Sequence, residues 1–221
     1  MTLLGNKVVV AAAGSGKTTK IVERVLESPF QKAAVVTYTL NNVGEIRSRF
    51  YEACGCIPEN VTVLPWFTFL LSDLVRPYQN FVYEKRVESL AQVDGRSTRY
   101  VKRDDVARYF FSDGKDVYND KISDFVCLCN ERSGGLVIDR LESLYDHIYI
   151  DEVQDLAGYD LEVLELLLDS EISITLVGDH RQATFRTNNS GKNKSYAGAK
   201  IVNKFFEWEE QGRCEIVYFQ D

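Results

Sequence analysis

The residues best equipped for chemistry lie near the N-terminus. Ala11-Ala12-Ala13-Gly14-Ser15-Gly16-Lys17-Thr18-Thr19 follows the β-branched run Val8-Val9-Val10 and opens an amphipathic stretch. Small residues let backbone N–H groups curl round an anion, and a helix N-terminus adds partial positive charge. In that setting Lys17 reaches the β- and γ-phosphates of a nucleotide, and the Thr18 hydroxyl ligates Mg²⁺. The strict phosphate-loop pattern begins with Gly, where this chain has Ala11. A second constellation, Asp151-Glu152, closes the apolar run His147-Ile148-Tyr149-Ile150. Carboxylates at the C-terminal end of a strand lie where open α/β sheets bind ligands. Asp151 is then expected in the Mg²⁺ shell, with Glu152 as the general base that polarises water. A third run, Ile172-Ser173-Ile174-Thr175-Leu176-Val177, ends in Gly178-Asp179-His180-Arg181-Gln182. The Gln182 amide could sense a γ-phosphate or be an ordinary polar loop residue.

These groups need a scaffold that brings strand ends together. Thr18 to Leu26 reads as a helix, with Ile21, Val22, Val25 and Leu26 forming an apolar stripe. Ala33-Ala34-Val35-Val36-Thr37 and Val61-Thr62-Val63-Leu64 are short continuous apolar runs, the mark of buried parallel strands. Helices are expected through Glu45, Ile46 and Arg49, over Tyr159 to Leu168 and over Ala199 to Glu210, with a last strand from Cys214 to Phe219. This alternation implies βαβ units and a doubly wound sheet. It stops from about Ser72 to Leu144, where a mostly helical insertion is expected, with a turn near Ser112-Asp113-Gly114. That insertion mixes Arg96, Arg99, Lys102, Arg103 and Arg108 with Tyr100, Tyr109, Phe110 and Phe111. Asp104, Asp105, Asp113 and Asp116 dilute its basic character, so a solvated face and a nucleic-acid surface both remain open.

At 221 residues, with 45% hydrophobic and 27% charged, the chain has enough apolar material for a sizeable core. A net charge of −7 argues against electrostatic coating of nucleic acid but leaves room for a local basic groove. No apolar run approaches the roughly 20 residues of a membrane span, and the opening Met1-Thr2-Leu3-Leu4-Gly5-Asn6-Lys7 does not read as a signal peptide. A cytoplasmic location with no membrane partner is expected. The cysteines, Cys54, Cys56, Cys127, Cys129 and Cys214, are odd in number and read as reduced thiols. Their Cys-x-Cys spacing is narrower than common zinc sites use.

Taken in order, four motifs resemble the UvrD/Rep/PcrA-like superfamily 1 DNA helicases. Ala11-Ala12-Ala13-Gly14-Ser15-Gly16-Lys17-Thr18 is similar to that family's phosphate loop, which characteristically begins with Ala. Thr37-Tyr38-Thr39, with Glu45, Ile46 and Arg49, resembles its Thr-Phe-Thr segment. Asp151-Glu152-Val153-Gln154-Asp155 resembles its Asp-Glu-Phe-Gln-Asp, and Gly178-Asp179-His180-Arg181-Gln182-Ala183-Thr184-Phe185 its Gly-Asp-x-x-Gln-Ser-Ile-Tyr.

The resemblance implies an α/β fold, a RecA-like P-loop NTPase domain whose parallel sheet is flanked by helices. Residues 1–72 and 145–221 would form this first RecA-like domain, and 73–144 the helical insertion. It also implies ATP and Mg²⁺ as ligands, with 3′→5′ translocation on single-stranded DNA driven by hydrolysis. Lys17, Thr18, Asp151, Glu152 and Gln182 inherit nucleotide roles. Tyr38, Thr39, Phe67, Phe185 and Arg186 inherit the DNA track, with aromatic stacking worth roughly 1–3 kcal/mol per base. Phe67 could equally be core packing, and RNA remains open as the strand. The sequence departs from the family at Leu40-Asn41, where Asn-Lys is usual, and at Thr187 and Asn188, where an Arg is expected. Tyr218-Phe219-Gln220-Asp221 falls about where the family's Tyr-Arg motif begins, so the second RecA-like domain, with its arginine fingers, is expected outside this chain. A competing expectation is a nucleotide-dependent switch that recruits a nuclease or other partner in a repair or phage-defence complex. A small-molecule kinase fits less well, because it needs no water-activating Glu152, and no Asn-Lys-x-Asp element points to a GTPase.

Overall fold

The computed structural model describes residues 5–11, 16–179 and 192–218. In chain order, β1 (Lys7–Val10) leads to α1 (Lys17–Glu27), β2 (Ala33–Thr37), α2 (Leu40–Cys54) and β3 (Val61–Pro65). The chain continues through α3 (Trp66–Phe69), a π-helical turn over Leu70–Val75, a 3-10 turn over Gln79–Phe81 and β4 (Ser89–Ala91). After α4 (Val106–Phe110) come β5 (Asp116–Tyr118), α5 (Ile122–Ser133) and α6 (Leu136–Leu144). It returns with β6 (His147–Ile150), α7 (Tyr159–Leu168), β7 (Ser173–Gly178), α8 (Ile201–Glu210) and β8 (Glu215–Tyr218).

Six strands form one sheet in the order β3-β2-β6-β7-β1-β8, and every neighbouring pair is parallel. The continuous apolar runs are explained by burial on both faces. Successive side chains of a strand point to opposite sides, so Val9, Val35, Val63 and Val177 meet Ile21, Val22 and Val25 of α1 and Val43, Ile46 and Phe50 of α2. Val8, Val10, Val36, Ile150 and Leu176 belong to the opposite and larger core, with Phe69, Phe125, Leu164 and Trp208. Full burial of each such aliphatic side chain stabilises the fold by about 1.5–3 kcal/mol. The sheet with helices on both faces bears out the α/β, RecA-like architecture expected from the motifs.

Helix α2 starts where Thr39 Oγ1 accepts from the Asn42 N–H at 3.1 Å, satisfying one of the donors that a helix N-terminus leaves unpaired. It stops at Gly55, whose φ of 79° suits glycine.

Between β3 and β6 the strands β4 and β5 form a separate two-stranded parallel sheet, and Val117 of β5 also makes an antiparallel bridge to Phe111. The expected turn at Ser112-Asp113-Gly114 is present, with the Ser112 N–H donating to the Asp116 carbonyl at 3.0 Å. One detail differs from the helical expectation. Arg96, Arg99, Lys102 and Arg103 lie within 92–105, which forms neither helix nor strand. Side chains of the 119–120 segment hold this stretch instead: Asn119 Oδ1 accepts from the Val93 N–H at 3.1 Å and Asp120 Oδ2 from the Ser97 N–H at 3.0 Å. Among the described residues no helix is long and apolar enough to cross a membrane.

Candidate nucleotide site

Because the six strands are parallel, their C-terminal ends share one edge. Val10 lies opposite Gly178, Val36 opposite Ile150, and Thr37 opposite Pro65. The residues that follow, Ala11, Tyr38, Trp66, Asp151 and Asp179, therefore leave the sheet on the same side. Two backbone bonds extend the ladders past the strand ends: Ala11 N–H to the Gly178 carbonyl at 3.1 Å, and Asp151 N–H to the Val36 carbonyl at 2.8 Å.

Gly16, at φ 70°, turns the chain into α1. Lys17, Thr18 and Thr19 form the first turn of that helix, and the Lys17 Nζ stands 3.7 Å from Glu152 Oε2. Ala13, Gly14 and Ser15 lie outside the described residues. The lysine from the loop and the carboxylates from β6 are thus brought together by the sheet from positions far apart in sequence.

Asp151 is only 4% exposed. Its carboxyl is pushed up to about 7, first by burial and then by the negative charge of Glu152; the Glu152 N–H and Lys17 pull in the opposite direction. That N–H donates to Asp151 Oδ1 at 2.9 Å. Desolvation of this kind disfavours the charged form unless a cation arrives. The chemistry of the donor set fits Mg²⁺: a carboxylate at Asp151 and a hydroxyl at Thr18 are hard oxygen ligands. Among the described residues no group of three or more His, Cys, Asp or Glu gathers into a metal centre of another kind. The cysteines are free thiols, and burial pushes Cys127 and Cys129 up to about 12.

Glu152 adopts the left-handed conformation, with φ 57°, which is uncommon for a residue with a side chain. Backbone outliers of this kind cluster at functional sites. Sequence reading gave no role to Gln154, yet it is 3% exposed and touches both halves of the site. Its Nε2 donates to Glu152 Oε2 at 2.5 Å, and its Oε1 accepts from the Asp179 N–H at 3.0 Å. The available signal was its place inside Asp151-Glu152-Val153-Gln154-Asp155, two residues beyond a candidate base.

The aromatic residues assigned to a strand track divide. Tyr38 and Phe67, following β2 and beginning with α3, meet edge-on with ring centroids 5.9 Å apart. Both are half-buried and pack against the larger core. Burial, followed by the charges of Asp160 and Asp155, raises the Tyr38 phenol above its ordinary range. Next to Phe67, Trp66 is fully buried and its indole N–H donates to Asp160 Oδ1 at 3.2 Å. The Thr39 hydroxyl is engaged as the cap of α2. Gln182, Phe185 and Arg186 lie outside the described residues.

Residues 118–193 match the family model for the UvrD/REP helicase N-terminal domain. This match over about a third of the chain supports a UvrD-like helicase N-terminal region. The matched span holds Asp151, Glu152, Gln154, Gly178 and Asp179, the carboxylate half of the site. The match supports a superfamily 1 helicase-type ATP-binding domain. A comparison with curated proteins finds no match to the chain.

Proposed function

We propose that this chain is the ATP-binding motor domain of a UvrD-like DNA helicase that moves 3′→5′ on single-stranded DNA. The observation that carries the reading is the convergence of Lys17, Asp151 and Glu152 at one sheet edge, with Lys17 Nζ 3.7 Å from Glu152 Oε2. Lys17 binds the β- and γ-phosphates of ATP, exchanging its carboxylate partner for phosphate. Thr18 and Asp151 hold Mg²⁺, which when bound neutralises charge developing on the phosphates. Glu152 orients the attacking water and takes its proton. Residues 1–72 and 145–221 are assigned to the first RecA-like domain and 73–144 to an insertion, supported by β4 and β5 forming a sheet separate from the six-stranded one. Tyr38 and Phe67 are assigned to the strand track, where a half-buried aromatic pair at the ligand edge offers stacking surface. In the complete motor a second RecA-like domain supplies arginine to the transition state, a contribution of about 10³–10⁵ in rate.

The test is single-turnover ATP hydrolysis by this chain and by its Lys17→Ala and Glu152→Gln forms, with and without single-stranded DNA or RNA. Slow hydrolysis that both substitutions abolish is expected. Hydrolysis indifferent to both would reject the ATPase assignment. Tight Mg²⁺·ATP binding with no turnover, and no response to either strand, would favour a nucleotide-dependent switch instead.

A further inference from the structure

Gln154 is buried between two elements of the site, and its amide can satisfy both neighbours in one orientation only. An ionised carboxylate accepts hydrogen bonds and cannot donate, and a backbone N–H donates and cannot accept. The amide nitrogen must therefore face Glu152 and the oxygen must face Asp179, as observed at 2.5 Å and 3.0 Å. Val153–Asp155 forms a 3-10 turn directly after the left-handed Glu152, which brings Gln154 back alongside the carboxylate.

The end of β7 is shaped to receive this side chain. A Cβ on Gly178 would stand 2.5 Å from Gln154 Oε1 and 2.9 Å from Val153 Cγ1. Gly178 has no positive φ to explain its identity, so the space left by the missing Cβ is what the site uses. Glu152 Oε2 has a second partner, Lys17. If Lys17 moves to phosphate, as the proposed function requires, Gln154 remains as the hold on that oxygen.

We propose that Gln154 is a positioning residue for Glu152, locking the base to the end of β7 through the Asp179 backbone, so that displacement of β7 moves the base. This rests on the hydrolytic role of Glu152 proposed above. Gln154 touches no phosphate in this scheme; it acts by fixing where the Glu152 carboxylate sits when water is activated. A general base contributes about 10²–10⁴ in rate when correctly placed, and a loosened base forfeits part of that.

The experiment compares Gln154→Met, which keeps length and loses both hydrogen bonds, with Gln154→Glu, which keeps shape and loses the donor. Gly178→Ala is added alone and together with Gln154→Ala. Each protein is measured for single-turnover hydrolysis, for Mg²⁺·ATP-analogue affinity, and for hydrogen exchange of the Asp179 amide without nucleotide. Hydrolysis is expected to fall about tenfold or more in Gln154→Met, Gln154→Glu and Gly178→Ala, with analogue affinity held within about twofold. Gly178→Ala should add less loss in the Gln154→Ala background than it causes alone, because the amide it displaces is already gone and only the Val153 contact remains. The Asp179 amide should exchange about tenfold faster in Gln154→Met, reporting the lost hydrogen bond independently of any turnover. Unchanged hydrolysis in Gln154→Met and Gln154→Glu, or additive losses in the double variant, would overturn the proposal while leaving Glu152 as base. Unchanged Asp179 exchange would overturn the bridge itself. A wild-type chain that fails to bind ATP would reject the underlying function and not the bridge, which the exchange measurement still decides.

Discussion

Among the buried carboxylates, Asp124 and Asp151 sit in opposite electrical arrangements. Asp124, in the first turn of α5, is fully buried, and Arg103 reaches its Oδ1 with Nη2 at 2.7 Å and Nε at 2.9 Å. Burial raises its pKa and Arg103 works against the rise. Asp151 is nearly as buried, but the residue beside it is another carboxylate, and Lys17 pairs with that neighbour at 3.7 Å. The Asp124 cluster closes its charge within the chain. The Asp151 pair leaves negative charge for an incoming cation to close. Burial alone does not distinguish a structural ion pair from a binding site; the position of the compensating charge does.

Substitutions should separate the two regions by what they damage. The largest effect is expected for Glu152→Gln, which keeps size and removes the proposed base. Single-turnover hydrolysis should fall by about 10²-fold or more, while stability stays within about 0.5 kcal/mol of wild type by denaturant unfolding. A large stability loss would place Glu152 with the structural carboxylates.

Next comes Arg103→Met. It strands the buried Asp124, and unfolding free energy should drop by about 2 kcal/mol. The value sits below that of a fully buried pair because the Arg103 side chain is 42% exposed and partly solvated. ATP-analogue affinity should be unchanged, and a matching loss of affinity would join the two regions energetically.

Asp151→Asn should have the opposite sign. In metal-free solution it should stabilise the fold by about 1 kcal/mol or more at pH 8, since it removes an uncompensated buried charge. The pH dependence follows from the raised pKa. Between the ordinary value, about 3.9, and about 7 in the folded state, the folded protein holds a proton that the unfolded chain has lost. Stability from that proton is fully present at low pH and is lost as pH rises through about 7. The advantage of Asn should therefore vanish near the ordinary carboxylate range and level off above neutrality, as read from unfolding midpoints across pH.

The smallest of these effects involves His147, at the start of β6, the opposite end of the strand from Asp151. Burial lowers its pKa to about 4, with Arg24 and Lys7 adding to the shift. It stacks on Tyr149 at 4.0 Å and shares a 2.8 Å hydrogen bond with Thr175. A neutral buried histidine contributes stability that is lost as pH falls from about 6.5 toward 4. His147→Gln should lessen that acid-side loss in the same titration and leave the alkaline-side slope from Asp151 intact.

Much of the scaffold was legible because parallel strands buried on both faces must be apolar throughout. Ala33 to Val36, Ile148 to Ile150 and Ile174 to Val177 announce themselves for that reason. Lys17, Asp151 and Glu152 were legible because each stands at the end of such a run. The strand order was not, since β1 lies between β7 and β8, pairings that depend on contacts remote in sequence. The π-helical turn over Leu70–Val75 was also hidden, because its Leu-Leu-Ser-Asp-Leu-Val has an ordinary helical composition. Gln154 was missed for a related reason. Its partners lie two residues back on the chain and on a different strand, and only the folded sheet shows that Gly178 leaves room for its amide.

The most direct test of the site is a titration with a fluorescent ATP analogue, with and without Mg²⁺, on wild type, Lys17→Ala and Asp151→Asn. Loss of Lys17 should weaken binding at least about tenfold, or about 1.4 kcal/mol. Loss of Asp151 should remove most of the advantage that Mg²⁺ confers. Equal affinity in all three proteins, with no response to Mg²⁺, would contradict an ATP site at this sheet edge.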